Sequence, residues 1–157
     1  MIIICTASAD TYITDKIVNG NIRVTDANVG RASTLDLFTL YNETKLEGTG
    51  TQTEVSRALL KFDLSPITEL TSSILNLNSG RFSATLEMKD IMTGHAVPRN
   101  FTLSAFPLSQ SFDEGVGIDT GRFNDVDTAN YVTASYTTQN NVWFTSGAMA
   151  SGLLGSN

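Results

Sequence analysis

One cysteine, one histidine, one tryptophan and three prolines in 157 residues leave little material for several kinds of chemistry. A lone Cys5 forms no internal disulfide, so stability has to come from a hydrophobic core. One histidine and one cysteine cannot fill a four-ligand zinc site, and His95 has no G-x-S-x-G or comparable nucleophile motif to serve. It reads as a surface-loop residue in Thr93-Gly94-His95-Ala96-Val97-Pro98. Basic residues are outnumbered, 10 against 16 acidic, for a formal net charge of −6. That balance opposes counterion-release binding to a phosphate backbone, so no nucleic-acid partner is expected. The apolar run Ile2-Ile3-Ile4-Cys5 falls far short of the roughly 20 residues of a membrane helix, so a soluble protein without a membrane partner is expected. The start also lacks the basic n-region of a signal peptide and is read as a lead-in strand.

Nothing in the chain looks like a linker. No Pro-rich, Ser-rich or charged run divides it, and a chain of this size buries roughly 70% of its unfolded surface, enough for one core. The expectation is a single domain over residues 1–157. The Gly- and Ser-rich stretch from Ser146 to Asn157 ends without a closing strand, which suggests the N-terminal portion of a longer chain.

What is abundant is threonine, serine and asparagine, with glycine-containing turns between short apolar alternations. In Arg57 to Leu64, Ala58, Leu60, Phe62 and Leu64 share one face, expected to meet the core, and Leu59, Lys61 and Asp63 the other. Ser65-Pro66 closes that strand. Phe82, Ala84, Leu86 and Met88 alternate with Ser83, Thr85, Glu87 and Lys89 as in a half-buried strand. Shorter candidates are Ile74 to Leu77, Phe101 to Ala105, Tyr12-Ile13, Ile22 to Val24, Leu35 to Tyr41, Tyr131 to Tyr136 and Val142 to Phe144. Eight or nine short strands with turn signals between them predict an all-β fold with few or no helices, an antiparallel two-sheet β-sandwich or jelly roll.

Several segments in order resemble the DNRLRE-type β-sandwich domain, a family of jelly-roll modules found beside carbohydrate-active enzymes, in surface proteins and in phage virions. They are Ala9-Asp10-Thr11-Tyr12-Ile13, Ala27-Asn28-Val29-Gly30, Arg57-Ala58-Leu59-Leu60-Lys61-Phe62-Asp63-Leu64-Ser65, and Ser111-Phe112-Asp113-Glu114-Gly115. The last has phenylalanine where the family usually has tryptophan. Thr14-Asp15-Lys16-Ile17 after the first tyrosine, and Val142-Trp143-Phe144-Thr145-Ser146-Gly147-Ala148 downstream, resemble tailed-phage virion structural proteins. The resemblance implies a non-enzymatic part of the particle, a capsid decoration or a neck, tail or baseplate component, on the particle exterior. Its expected partners are other virion proteins, including further copies of itself. The wider family implies an alternative, a carbohydrate-binding β-sandwich module with a glycan partner.

No catalytic residues and no cofactor are assigned. Hard oxygen ligands gather in Asp113, Glu114, Asp119, Asp125 and Asp127, a set that could surround calcium. The EF-hand spacing fails from Asp125, where Tyr136 occupies the place of the bidentate glutamate, and a solvated loop is the alternative. Gly115-Val116-Gly117 lacks the Gly-Lys-Ser/Thr of a phosphate cradle and reads as a flexible or tight-turn loop. Trp143 and Phe144 are the first residues to consider at a protein interface. Trp143, Tyr131 and Tyr136 could instead form a sugar platform, although such aromatics more often pack in cores or interfaces.

Overall fold

A computed structural model describes residues 1–42, 52–71, 75–91, 100–121, 128–135 and 141–149. Its elements run β1 (Ala7–Thr14), β2 (Ile17–Val18), β3 (Ile22–Arg23), β4 (Thr39–Tyr41), β5 (Thr53–Phe62), α1 (Ser65–Thr71), β6 (Thr133–Ser135) and β7 (Asn141–Val142). Among the described residues the fold is all-β with one short helix, and the β2–β3, β4–β5 and β6–β7 pairs are antiparallel. The chain divides into two compact units, one of residues 1–8 and 62–104 and one of residues 9–61 and 105–157.

The second unit holds the core. β5 lies between β1 and β4 in a three-stranded sheet, with Thr39 opposite Val55 and Tyr41 opposite Thr53. β2 and β3 form a hairpin whose turn, Asn19-Gly20, has positive φ at both residues, 51° and 75°. That pair of angles is what Asn-Gly supplies at low cost, and its twist matches the flanking strands. β6 and β7 pair with a bulge-like shift between Thr133 and Ser135. Ile13, Leu59, Phe112, Ala129, Ala134 and Trp143 make one buried cluster, with Ala9 and Ala148 packed against it.

β5 corrects the expected facing. Leu59 is the side chain buried in the cluster, whereas Ala58, Leu60 and Phe62 are half-buried and Leu64 is exposed. Both faces of this strand carry leucine, so alternation alone does not select the inner one; the side that Ile13 and Phe112 occupy does. At its start the buried residues are Glu54 and Ser56. The Glu54 carboxylate accepts the Ile17 N–H at 2.7 Å, and the Ser56 hydroxyl oxygen accepts the Phe38 N–H at 2.8 Å. Each carries a polar atom inward to satisfy backbone beside the sheet.

The first unit departs further from expectation. β5 ends at Phe62, two residues before the expected Leu64, and Ser65-Pro66 opens α1, because a proline in the first helical turn gives up an N–H that has no intrahelical partner. The Leu64 carbonyl accepts from Ile67 and Thr68 to start the helix. The Asp63 carboxylate accepts the Ser65 N–H at 2.9 Å, which lowers its pKa, the backbone bond contributing most and the Ser65 side chain next. Residues 82–89 and 101–105 form no strand, nor do 75–77, and the lead-in strand begins only at Ala7. Alternation prepares a strand, but a ladder needs a partner, and residues 83–91 have no backbone hydrogen bond to any described residue.

Candidate functional site

The most constrained polar site of the second unit is built on Asn28, which is fully buried. Its Nδ2 donates to the Glu114 carbonyl at 2.9 Å and to the Ala129 carbonyl at 2.9 Å. Its Oδ1 accepts from Gly117 N–H at 2.8 Å and from Gly30 N–H at 3.3 Å. A side-chain amide has two donor hydrogens and two acceptor lone pairs, so all four capacities are used. One residue therefore joins the 28–30 turn, the 114–117 loop and the segment leading to β6. The Arg31 N–H donates to the Gly117 carbonyl at 2.8 Å and closes the same junction.

Glycine is required around this amide for want of space. A Cβ on Gly117 would lie 1.8 Å from the Asn28 carbonyl oxygen, and one on Gly30 would lie 2.0 Å from the Glu114 carbonyl oxygen. Gly115 has φ +84°, and a Cβ there would meet the Asn28 amide. Gly115-Val116-Gly117 is thus a tight turn held against Asn28. The segments Ala27–Gly30 and Ser111–Gly115, both singled out in the sequence, meet here across more than 80 residues.

Of the expected calcium ligands, Asp125 and Asp127 lie outside the described residues. The other three are used separately. The Asp113 carboxylate accepts the Ser135 hydroxyl, the Glu114 carboxylate accepts the Asp10 N–H at 3.1 Å, and the Asp119 carboxylate accepts the Gly121 N–H at 2.7 Å. No group of three His, Cys, Asp or Glu side chains among the described residues is arranged to hold a metal ion. His95 and Tyr136 also lie outside the described residues.

No protein family, curated protein or solved structure matches the chain.

Trp143 and Phe144 are neighbours with opposite environments. Trp143 is 5% exposed within the core cluster, and its indole N–H donates to the Asn130 carbonyl at 2.7 Å. Phe144 is 89% exposed. Trp143 is thus held by its own chain, whereas Phe144 stands at the surface. Tyr131, half-buried, lies beside Gly147, whose φ is +77°. A Cβ at Gly147 would come within 2.8 Å of the Tyr131 ring and 2.7 Å of the Arg57 guanidinium. The buried Nη1 of Arg57 has no hydrogen-bond partner among the described residues.

Sequence reading missed a second polar cluster. Arg23 pairs with Asp15 at 2.6 Å, donates to the Asp15 and Thr53 carbonyls at 3.0 and 3.2 Å, and reaches the Gln52 side chain at 2.7 Å. The other Asp15 oxygen accepts the Val55 N–H at 2.7 Å. This fastens the β2–β3 hairpin to the start of β5. The available signal was Asp15 and Arg23 flanking an Asn-Gly turn. Tyr12 is buried nearby in β1, and burial, then the charges of Asp36 and Asp119, push its pKa up to about 12. Its phenol stays neutral through the physiological range. Many of the polar groups at these sites are turned on the protein's own backbone, an arrangement that fixes loops.

Proposed function

We propose that this chain is a non-enzymatic structural module of a phage particle, a two-sheet β-sandwich that packs against other virion subunits on the particle exterior. The observation that carries the reading is the order of the family-like segments along residues 9–148, together with the meeting of two of them at Asn28. A junction whose amide capacity is spent on backbone suits a part that must hold its shape. Phe144 at the surface offers an apolar anchor of the kind protein interfaces use. The acidic balance suits a position away from the packaged genome. Trp143, the aromatic best suited to stacking on a sugar, is sealed in the core, which favours the structural reading over a carbohydrate-binding module.

The test is mass spectrometry of purified intact particles, with copy number counted against the major capsid protein. Hundreds of copies support a capsid decoration, and about 5 to 18 support a neck, tail or baseplate ring of closed symmetry. Absence from the particle overturns the reading.

A further inference from the structure

Asn19-Gly20 is the single Asn-Gly step in the sequence, and both residues lie exposed at the tip of the β2–β3 hairpin. Neither the Asn19 side chain nor the Gly20 N–H has a hydrogen-bond partner among the described residues, and a Cβ at Gly20 would meet nothing within 4 Å. With no side chain of its own, Gly20 offers an unhindered backbone nitrogen directly after an accessible amide. We propose that Asn19 is a self-modification site guarded by its own turn: when the hairpin opens, the Gly20 nitrogen displaces the side-chain amide and the asparagine is converted to aspartate and isoaspartate. The Gly20 nitrogen bonds to Asn19 Cγ, the Cγ–Nδ2 bond breaks, and ammonia leaves with the Gly20 amide proton. Water then opens the five-membered imide. Attack at Cγ gives aspartate, and attack at the main-chain carbonyl carbon gives isoaspartate, with the chain routed through the side chain.

The guard is the backbone geometry of the turn. Closing the imide needs the Gly20 nitrogen and Asn19 Cβ on the same side of the Cα–C bond, which an L residue reaches at ψ of about −120°, whereas the left-handed region has ψ of about +47°. Asn19 has φ 51°, in that left-handed region. Its nucleophile therefore starts on the far side of the bond from the side chain, and ψ has to turn by roughly half a revolution before attack. That rotation is incompatible with the closed hairpin. It breaks the turn bond from the Asn21 N–H to the Val18 carbonyl and the two residue pairs of β2 with β3. It also works against Arg23, which holds β3 to the Asp15 carboxylate at 2.6 Å, to the Thr53 carbonyl at 3.2 Å and to the Gln52 side chain at 2.7 Å. Arg23 is thus a positioning residue for the turn, and the rate of modification reads how often the hairpin opens. Once isoaspartate forms, the extra methylene in the main chain removes the paired left-handed geometry that closes the turn. The inference is independent of the virion reading.

The test is a time course of the 157-residue chain at mildly alkaline pH, folded in buffer and unfolded in guanidinium chloride, followed by peptide mapping with mass spectrometry. Exchange of NH2 for OH adds about 1 Da to the peptide holding position 19, and the isoaspartate form separates from the aspartate form by chromatography. In the unfolded chain, position 19 is expected to convert at least about tenfold faster than in the folded chain, because only the open fraction of the hairpin reacts. Arg23→Gln, shown to be folded by far-UV circular dichroism, is expected to convert about tenfold faster than the folded parent, since its charged hydrogen bonds no longer hold the turn shut. Gln52→Ala, which removes one of those contacts and leaves the ion pair, is expected to fall between the two, and carries the test if Arg23→Gln does not fold. No conversion at position 19 in the unfolded chain overturns the site. Equal rates in the folded and unfolded chains overturn the guard, as do folded Arg23→Gln and Gln52→Ala variants that convert no faster than the parent.

Discussion

The Asn28 side-chain amide donates to the Glu114 carbonyl 2.9 Å away, linking residues 86 positions apart through a group with no exposed surface to spare. Replacing Asn28 with alanine leaves the Glu114 and Ala129 carbonyls and the Gly30 and Gly117 N–H groups without their partner in a buried site. The expected cost is about 2–4 kcal/mol in the free energy of unfolding, read from urea titration. Asn28→Asp is expected to cost at least as much, because it removes both donors and turns a carboxylate oxygen toward two carbonyls. A cost below about 0.5 kcal/mol for Asn28→Ala, the range of an ordinary surface change, contradicts the junction.

Gly117 tests the same junction from the other side. Its missing Cβ is replaced in space by the Asn28 carbonyl oxygen, 1.8 Å from where that carbon would stand. Backbone cannot swing aside as a flexible side chain does. Gly117→Ala is therefore expected to cost about 3 kcal/mol or more. Gly80→Ala is the control, since a Cβ there meets nothing within 4 Å. Thermal melts of the two variants should separate clearly, the Gly80 variant staying close to the parent.

Much of the second unit was legible because periodicity and turn chemistry agree there. β1, β3, β6 and β7 overlap stretches expected as strands, and β4 occupies the end of the Leu35–Tyr41 stretch. Three kinds of information were not legible. The inner face of β5 was hidden because leucines stand on both sides, and Glu54 is buried where composition points outward. The two-residue β2 is too short to show a period, although Asn19-Gly20 beside it is a readable hairpin signal. The strands expected at 82–89 and 101–105 had the right alternation, but alternation does not name a ladder partner. At the site, Asn28, Gly30, Glu114 and Gly115 stood in recognisable segments, while their meeting did not follow from either segment alone. Of the calcium grouping, Asp113, Glu114 and Asp119 each accept from a different donor, and Asp125 and Asp127 lie outside the described residues.

The contrast between Trp143 and Phe144 makes a direct experiment. Trp143 is the single tryptophan, so its emission reports one environment. Native emission is expected to be blue-shifted and poorly quenched by iodide, moving to a water-exposed spectrum on unfolding. Trp143→Phe keeps an aromatic ring but removes volume and the indole donor to the Asn130 carbonyl. Its expected cost is about 2–4 kcal/mol. Phe144→Ser, at an exposed position, is expected to change stability by no more than about 0.5 kcal/mol. A native tryptophan spectrum already red-shifted and fully quenchable would contradict the buried position.

Alkaline titration isolates Tyr12 from the other three tyrosines. Its phenol is raised from 10.0 to about 12, first by burial and then by the Asp36 and Asp119 charges. A raised pKa means that the folded state favours the neutral phenol more than the unfolded chain does. The stabilising contribution is complete below pH 10, where both states are protonated, and is lost as the pH climbs from about 10 toward about 12. Phenolate absorbance should therefore show one tyrosine ionising late, or ionising only as the protein unfolds. Tyr12→Phe removes that late step and flattens the alkaline limb of the stability profile. If all four phenols ionise together near the ordinary tyrosine value in the folded protein, Tyr12 does not sit in this buried, negatively charged setting.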